Sequence, residues 1–288
     1  MDWPKPLIDA LARRRAVIYL GAGASAGSVS AVDGTSRPPD WPTFLNRCVD
    51  RAEGDTTVIR DLLKEGDLLT ACGLLKDLLR DEWHVLLAEA FVSPKYAPSS
   101  THAAIFQLDA RLVATPNFDK IYDVYAQQES GQTVRISHYY DPDTPEIMRG
   151  DYRGVLKVHG TIDQPTTTIF TRRDYSQLRY KHAAFQSLID ALLLTHTFFF
   201  IGTSLRDPDL VLFLENHASA HPSAPAHYMT TPDGEIDKSR DLSIRNDMNV
   251  KLLRYSANDG HRELAESLQA LVELVQSARD DVAARQGW

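Results

Sequence analysis

Cysteine is nearly absent from this 288-residue chain. The two that occur, Cys48 and Cys72, fall within helical patterns. They are too few for a disulfide framework or a cysteine zinc centre, and they read as core residues. Neither has the helix-start or histidine neighbour that marks a nucleophile. Long hydrophobic runs are absent too: the most apolar stretch surrounds Phe198–Ile201 and is too short to span a bilayer. Positive charge is in deficit, with 31 Lys and Arg against 39 Asp and Glu and a net charge of −8. That balance excludes a nucleic-acid surface as the main function, because phosphate binding needs clustered cations. The start, Met1-Asp2-Trp3-Pro4, lacks the basic and apolar regions of a secretory leader. A cytoplasmic protein with no membrane contact and no direct nucleic-acid binding is therefore expected. An α/β-hydrolase triad is not expected. Internal repeats and long low-complexity segments are also missing.

What is present is an alternation. Ala16–Leu20 is a continuous apolar run closed by Gly21, the pattern of a strand buried on both faces. Further strands are predicted at 111–115, 133–137, 155–158, 198–201, 226–229 and 250–254. Helical patterns separate them. Leu7, Ile8 and Leu11 mark a first helix, with Arg13-Arg14-Arg15 at its C-terminus, where cations favour the dipole. Thr43 is the expected cap of a helix to about Ala52, and Asp67 of one through Leu79. Helical patterns continue over 81–92 and 99–108. Thr171-Arg-Arg-Asp174 reads as a capping box opening a helix through Leu178. The tail from His261 to about Ala284 is amphipathic. Strands alternating with helices predict an α/β fold, Rossmann-like, with a mostly parallel sheet covered on both faces. The chain is expected to form a single domain, 1–288, with an inserted helical module at 43–108 and a C-terminal helix at 261–288. The Pro- and Gly-containing segment 28–42 enters that module as a mobile loop.

Four motifs stand at strand ends, three of them with a structural alternative. Gly21-Ala22-Gly23-Ala24-Ser25-Ala26-Gly27 follows a strand and is expected to open a helix. It either lets backbone approach a pyrophosphate or is simply a tight turn. Its spacing, and the lack of an acidic residue ending a second strand, fit an ordinary Rossmann dehydrogenase poorly. Thr115-Pro116-Asn117-Phe118-Asp119 either presents the Asn117 amide to a ribose or water or uses it to cap a helix over 118–126. His159, in Val158-His159-Gly160, is a structural ring or a general base. Gly202-Thr203-Ser204 offers hydroxyls and amides, and beyond it Asp207 and Pro208 read as a helix cap and first turn, with Arg206 unassigned. Asp141 and Asp143 read as turn residues. His217, His221 and His227 have no cysteine nearby and do not read as a metal site.

Taken together and in order, these motifs resemble the sirtuin-like family, specifically the sirtuin-like domains of bacterial antiphage defence systems. Lys157-Val-His-Gly160, Thr171-Arg-Arg-Asp-Tyr175 and Phe200–Pro208 extend the resemblance, which runs from Val17 to about Ala284. It implies an NAD+ hydrolase that cleaves the nicotinamide–ribose bond with water and acts as an NAD-depleting effector in abortive infection. Carried over, Asn117 positions ribose or water, Asp119 meets the nicotinamide carboxamide and His159 is the base. Gly21, Ala22, Gly23, Ser25, Thr115, Gly202, Thr203 and Ser204 cradle the dinucleotide. The four-cysteine module that deacylating sirtuins carry after His-Gly is missing, so no zinc is expected and water is favoured as nucleophile. Gating is expected from a homo-oligomer or a separately encoded partner, such as a ring-forming HerA-like ATPase or a short Argonaute. The alternatives are a non-catalytic NAD- or nucleotide-binding module and an NAD-dependent protein deacylase.

Overall fold

The computed structural model describes residues 1–142, 144–150, 152–205 and 207–285. Among them, seven strands form one parallel sheet: β1 (Ala16–Leu20), β2 (Leu112–Thr115), β3 (Arg135–His138), β4 (Gly154–Lys157), β5 (Thr197–Ile201), β6 (His227–Pro232) and β7 (Val250–Tyr255). Their order is β3-β4-β2-β1-β5-β6-β7, so the first strand lies at the centre. Every pairing is parallel, with Val17 opposite Leu112 on one side and Phe198 on the other. All seven strands stand where apolar runs predict them, displaced by at most three residues at their ends.

The helices are α1 (Lys5–Ala12), α2 (Trp41–Arg51), α3 (Thr57–Glu65), α4 (Leu68–Leu79), α5 (Glu82–Phe91), α6 (Ser100–Gln107) and α7 (Ile121–Glu129). They continue as α8 (Thr144–Arg149), α9 (Arg172–Lys181), α10 (Ala183–Thr195), α11 (Pro208–Ala220), α12 (Lys238–Met248) and α13 (Asn258–Ala284). Side chains of β1 alternate between two cores. Ala16, Ile18 and Leu20 meet α1, α6, α7 and α13, while Val17 and Tyr19 face the layer of α8 to α12. The chain thus leaves β1 over one face and β5 over the other. Adjacent strands whose connections depart on opposite faces open a crevice at their carboxyl ends.

A third core belongs to α2–α5, built on Phe44, Cys48, Cys72, Leu75 and Trp83. Both cysteines are free and buried there. Ile162 and Phe170, from the loop after β4, complete this core. Trp41 stacks on Phe170 at 4.7 Å, and Phe118 meets Phe170 at 4.8 Å. α6 instead packs beside α13 on the sheet.

Several local expectations need correction. Asp40, not Thr43, caps α2: its carboxylate accepts the Thr43 amide at 2.9 Å. Pro42 fits inside the first turn, where no amide is required. Asp67 and the Thr171–Asp174 capping box stand as predicted. The glycine segment opens no long helix. Ala22–Ser25 make a single 3-10 turn, after which Ser30 bridges antiparallel to Tyr96. Segment 28–42, expected to be mobile, is tied down. Asp33 accepts the Ser36 hydroxyl and the amides of Ser36 and Thr35, which hold its carboxyl well below the usual range, and Tyr96 donates to the Arg37 carbonyl at 3.1 Å. α3, α8, α10 and α12 were not foreseen. No helix among the described residues is long and apolar enough to cross a membrane.

The loops after β1 and β5 touch backbone to backbone. Gly21 and Gly23 donate to the Ile201 and Gly202 carbonyls, each at 2.9 Å. A Cβ on Gly202 would stand 2.2 Å from the Ala24 nitrogen, at φ +67°. Gly202→Ala should therefore destabilise the protein by at least ~2 kcal/mol, read as a lowered urea midpoint at unchanged slope.

Candidate active site

Four consecutive strands, β4-β2-β1-β5, deliver the candidate residues to one edge of the sheet. His159 follows β4, Asn117 follows β2, Gly21 follows β1 and Gly202 follows β5. Cross-strand bonds hold these ends level. Thr115 donates its hydroxyl to the Leu20 carbonyl at 2.6 Å, and Val158 donates its amide to the Thr115 carbonyl at 2.9 Å. Thr115, predicted as a ligand contact, spends its hydroxyl on this seam and also accepts the Asn117 amide N–H at 3.1 Å.

His159 is 8% exposed. Its Nε2 lies 3.2 Å from Asp207 Oδ2, and the Tyr175 ring meets it edge-on at 5.3 Å. Burial pushes the Asp207 carboxyl up, but His159 and the amides of Leu210 and Asp209 outweigh it and leave the net shift downward. Asp207 thus does two things: it caps α11, as the sequence predicts, and it holds the histidine, which the sequence does not reveal. A carboxylate facing Nε2 fixes the ring proton there and leaves the Nδ1 lone pair as the proton acceptor. The turn that brings Asp207 to His159 includes the buried Leu205 at φ +50°, a conformation that costs about 1 kcal/mol for a residue with a side chain. Arg206 and Asp143 lie outside the described residues.

Asn117 does not cap a helix. The helix there starts later, at Ile121, and Asp119 Oδ1 accepts the Ile121 amide at 2.9 Å. The half-buried Asn117 amide side chain makes no hydrogen bond among the described residues. Beneath this loop lies Lys157, fully buried in β4. Its Nζ donates to the Asp119 carbonyl at 2.5 Å and to Asp123 Oδ2 at 2.8 Å. Burial raises the Asp123 carboxyl above its ordinary range, an effect the ammonium only partly offsets. One lysine, two residues before His159, therefore clamps the Asn117 loop to the strand that carries the histidine.

The glycine loops supply polar groups and also explain their own glycines. A Cβ on Gly21 would stand 2.3 Å from the Gly202 carbonyl oxygen, so closeness of the two loops already requires glycine there. Thr203 Oγ1 beside it is buried without a partner among the described residues. An orphaned hydroxyl in this position suits a bound phosphate or ribose. The Ser25 hydroxyl is buried 3.3 Å from His102 Nε2. Burial pushes the His102 pKa down to about 4, and its Nδ1 accepts the Ser99 amide at 3.0 Å. The neutral ring thus donates from Nε2 to Ser25, whose own proton stays available. Ala22 stands exposed in the 3-10 turn, and Ser204 is exposed. Rings of His217, His221 and His227 lie 5.1 and 5.5 Å apart, yet no group of three metal-capable side chains converges among the described residues.

Residues 111–253 match the SIR2-like domain family. The chain carries a SIR2-like domain. The matched span includes Asn117, Asp119, His159 and Gly202–Ser204, while the glycine loop at Gly21–Ser25 precedes it. Among curated proteins, this SIR2-like chain is similar to NAD(+) hydrolase ThsA of Enterococcus faecium, 26% identical over 232 residues that cover 74% of the chain and 42% of that protein. The protein of the same name from Cytobacillus dafuensis is 26% identical over 219 residues, 73% of the chain and 39% of the relative. That from Bacillus cereus (strain MSX-D12) is 22% identical over 172 residues, 56% and 34%. The SIR2-like chain spans less than half the length of these relatives.

Lys157→Met leaves Asp123 buried without its cation and should cost about 3–5 kcal/mol in chemical denaturation, much of it recovered in Lys157→Met/Asp123→Leu. Asp207, with its native pKa depressed, contributes stability that is full above the ordinary carboxylate pKa of ~3.9 and is lost as pH falls through the lower native value. Asp207→Asn should therefore flatten the acid limb of a stability–pH curve.

Proposed function

We propose that this carboxyl-end site hydrolyses NAD+ at the bond between nicotinamide and ribose. One observation carries the reading: an uncommitted Asn117 amide stands on the strand end adjacent to a His159 whose ring is fixed by a half-buried carboxylate. The names of the three relatives supply the substrate. Water is the nucleophile. It adds to the anomeric carbon as the glycosidic bond breaks, the bonding electron pair leaves with neutral nicotinamide, and the water's proton passes to His159 Nδ1. The transition state has oxocarbenium character, as in glycoside hydrolysis. Asn117 orients the ribose or the water. Asp119, whose second carboxylate oxygen is free of the α7 cap, lies near the leaving nicotinamide. Thr203, Ser25 and the amides of the 3-10 turn hold the dinucleotide. Orientation and one general base together lower the barrier by several kcal/mol, the base alone supplying roughly 10²–10⁴-fold.

In the cell this activity makes the chain an NAD-depleting effector of antiphage defence, cytoplasmic and restrained by assembly with copies of itself or with a separately encoded partner. That extension rests on the family resemblance and on the need to hold such a hydrolase silent until called upon.

Nicotinamide release from NAD+ by the purified chain tests the assignment. Asn117→Ala should lose nearly all turnover with an unchanged melting profile. His159→Ala should lose roughly 10²–10⁴-fold with little change in NAD+ affinity. Full activity in both variants would refute the site, and NAD+ binding without release, alone and in infected-cell lysate, would refute hydrolysis.

A further inference from the structure

The opposite edge of the sheet carries a second concavity. A cavity of about 450 Å³ opens at the amino ends of β2, β1 and β5, three neighbouring strands. Each strand brings a cation-capable residue to it: Arg111 immediately precedes β2, Arg15 precedes β1 and His196 precedes β5. Arg13 and Arg14 complete the charged side. Leu112, Ile147 and Leu192 form an apolar wall.

The arginines are held, not trailing. The amides of Arg13, Arg14 and Arg15 bond to the carbonyls of Asp9, Leu11 and Ala10 at 3.1, 3.0 and 2.8 Å, and the Arg15 carbonyl accepts the Thr197 amide at 2.9 Å. Arg14 adopts φ +55°, a helix-ending conformation where Gly or Asn is the cheaper choice. Arg111 lies against Gly150, where a Cβ would stand 2.3 Å from its Nη1. The backbone there makes room for a guanidinium.

Charge at this edge is unbalanced. Asp109 pairs with Arg14, with Arg153 at 3.3 Å and with Arg279 at 3.3 Å, so one carboxylate faces three guanidiniums. Among the described residues, Arg13, Arg15 and Arg111 make no ion pair and no side-chain hydrogen bond. This occurs in a chain of net charge −8. His196 senses the excess: burial, then Arg15 and Arg111, push its pKa down. The dipole of α1 accounts for a cation at Arg13, but its influence fades within a turn and reaches neither Arg15 nor Arg111.

Convergent guanidiniums match the oxygens of phosphate in pairs, whereas a volume of this order suits a small ligand, not a duplex. An apolar wall beside the cationic one offers a surface for a ring. We propose that the cavity binds a nucleotide polyphosphate, at a site separated from the His159 edge by the length of the strands, roughly 16 Å at 3.3 Å per residue.

Calorimetric titration of the full chain with ATP tests this, in wild type, in Arg15→Ala/Arg111→Ala and in Thr203→Val. Wild type should bind, the arginine double variant should raise Kd at least tenfold, and Thr203→Val should leave it within twofold. ATP should bind more tightly than tripolyphosphate, and hydrogen exchange should slow at residues 13–16 and 111–112 on binding. All three arginines are exposed, so melting temperatures should stay near wild type; if the double variant fails to fold, Arg13→Glu replaces it with the same expectation. No binding up to millimolar ATP, an unchanged Kd in the arginine variants, or loss of binding in Thr203→Val alone would overturn the proposal. A single-stranded oligonucleotide that displaces ATP at lower concentration would overturn the small-ligand assignment.

Discussion

Everything at the carboxyl edge hangs on the approach of two loops that have no side chains between them. Gly21 and Gly23 press against Gly202 so closely that a single methyl group at any of the three meets backbone. That contact closes the ends of β1 and β5 and sets the direction in which the chain leaves β5. The left-handed turn at Leu205 then swings Asp207 back to His159. The histidine and its carboxylate come from β4 and from beyond β5, with two strands between. Their meeting depends on how tightly the intervening loops are tucked.

A second constraint comes from the helices α2–α5. Their core is closed by Phe170 and Ile162, which follow His159, and is flanked by Phe118, which follows Asn117. The residues beside both candidate catalytic groups are therefore anchored in a separate apolar cluster. Lys157 works from the other side, drawing the Asp119 carbonyl and Asp123 onto β4. The Asn117 loop is thus pinned by a buried charge below and by aromatic packing at its flank. Its uncommitted polar groups among the described residues are the Asn117 amide and the second Asp119 carboxylate oxygen.

The strands were legible because each is a short apolar run ended by a turn residue, and sheets buried on both faces leave no other signature. The motifs at their ends were legible as positions. What each group does there was not. Asn117 and Asp119 both have the chemistry of a helix cap, and only the start of α7 at Ile121 decides between them. Asp207 satisfied the sequence pattern of a cap, which concealed its second task. The glycine loop read as a helix opening because it directly follows a strand. The bridge from Ser30 to Tyr96 draws the chain away after one turn, and that partner is 66 positions distant. The arginine run was legible only as a helix end, because its cavity is assembled from residues as far away as His196.

The central place of β1 also has a meaning in time. Ala16 lies opposite Thr197, and the Gly21 amide awaits the Ile201 carbonyl. A chain emerging residue by residue can fold α2–α5 early, since their core is almost entirely local. It has no partner for one side of its first strand until most of its length exists. Non-local parallel pairing of this kind is slow to form, and its unpaired edges are exposed meanwhile. The same ordering means that His159 has no carboxylate beside it until Asp207 has been made. A truncated or stalled product therefore lacks the complete candidate site, which is assembled only as the fold closes.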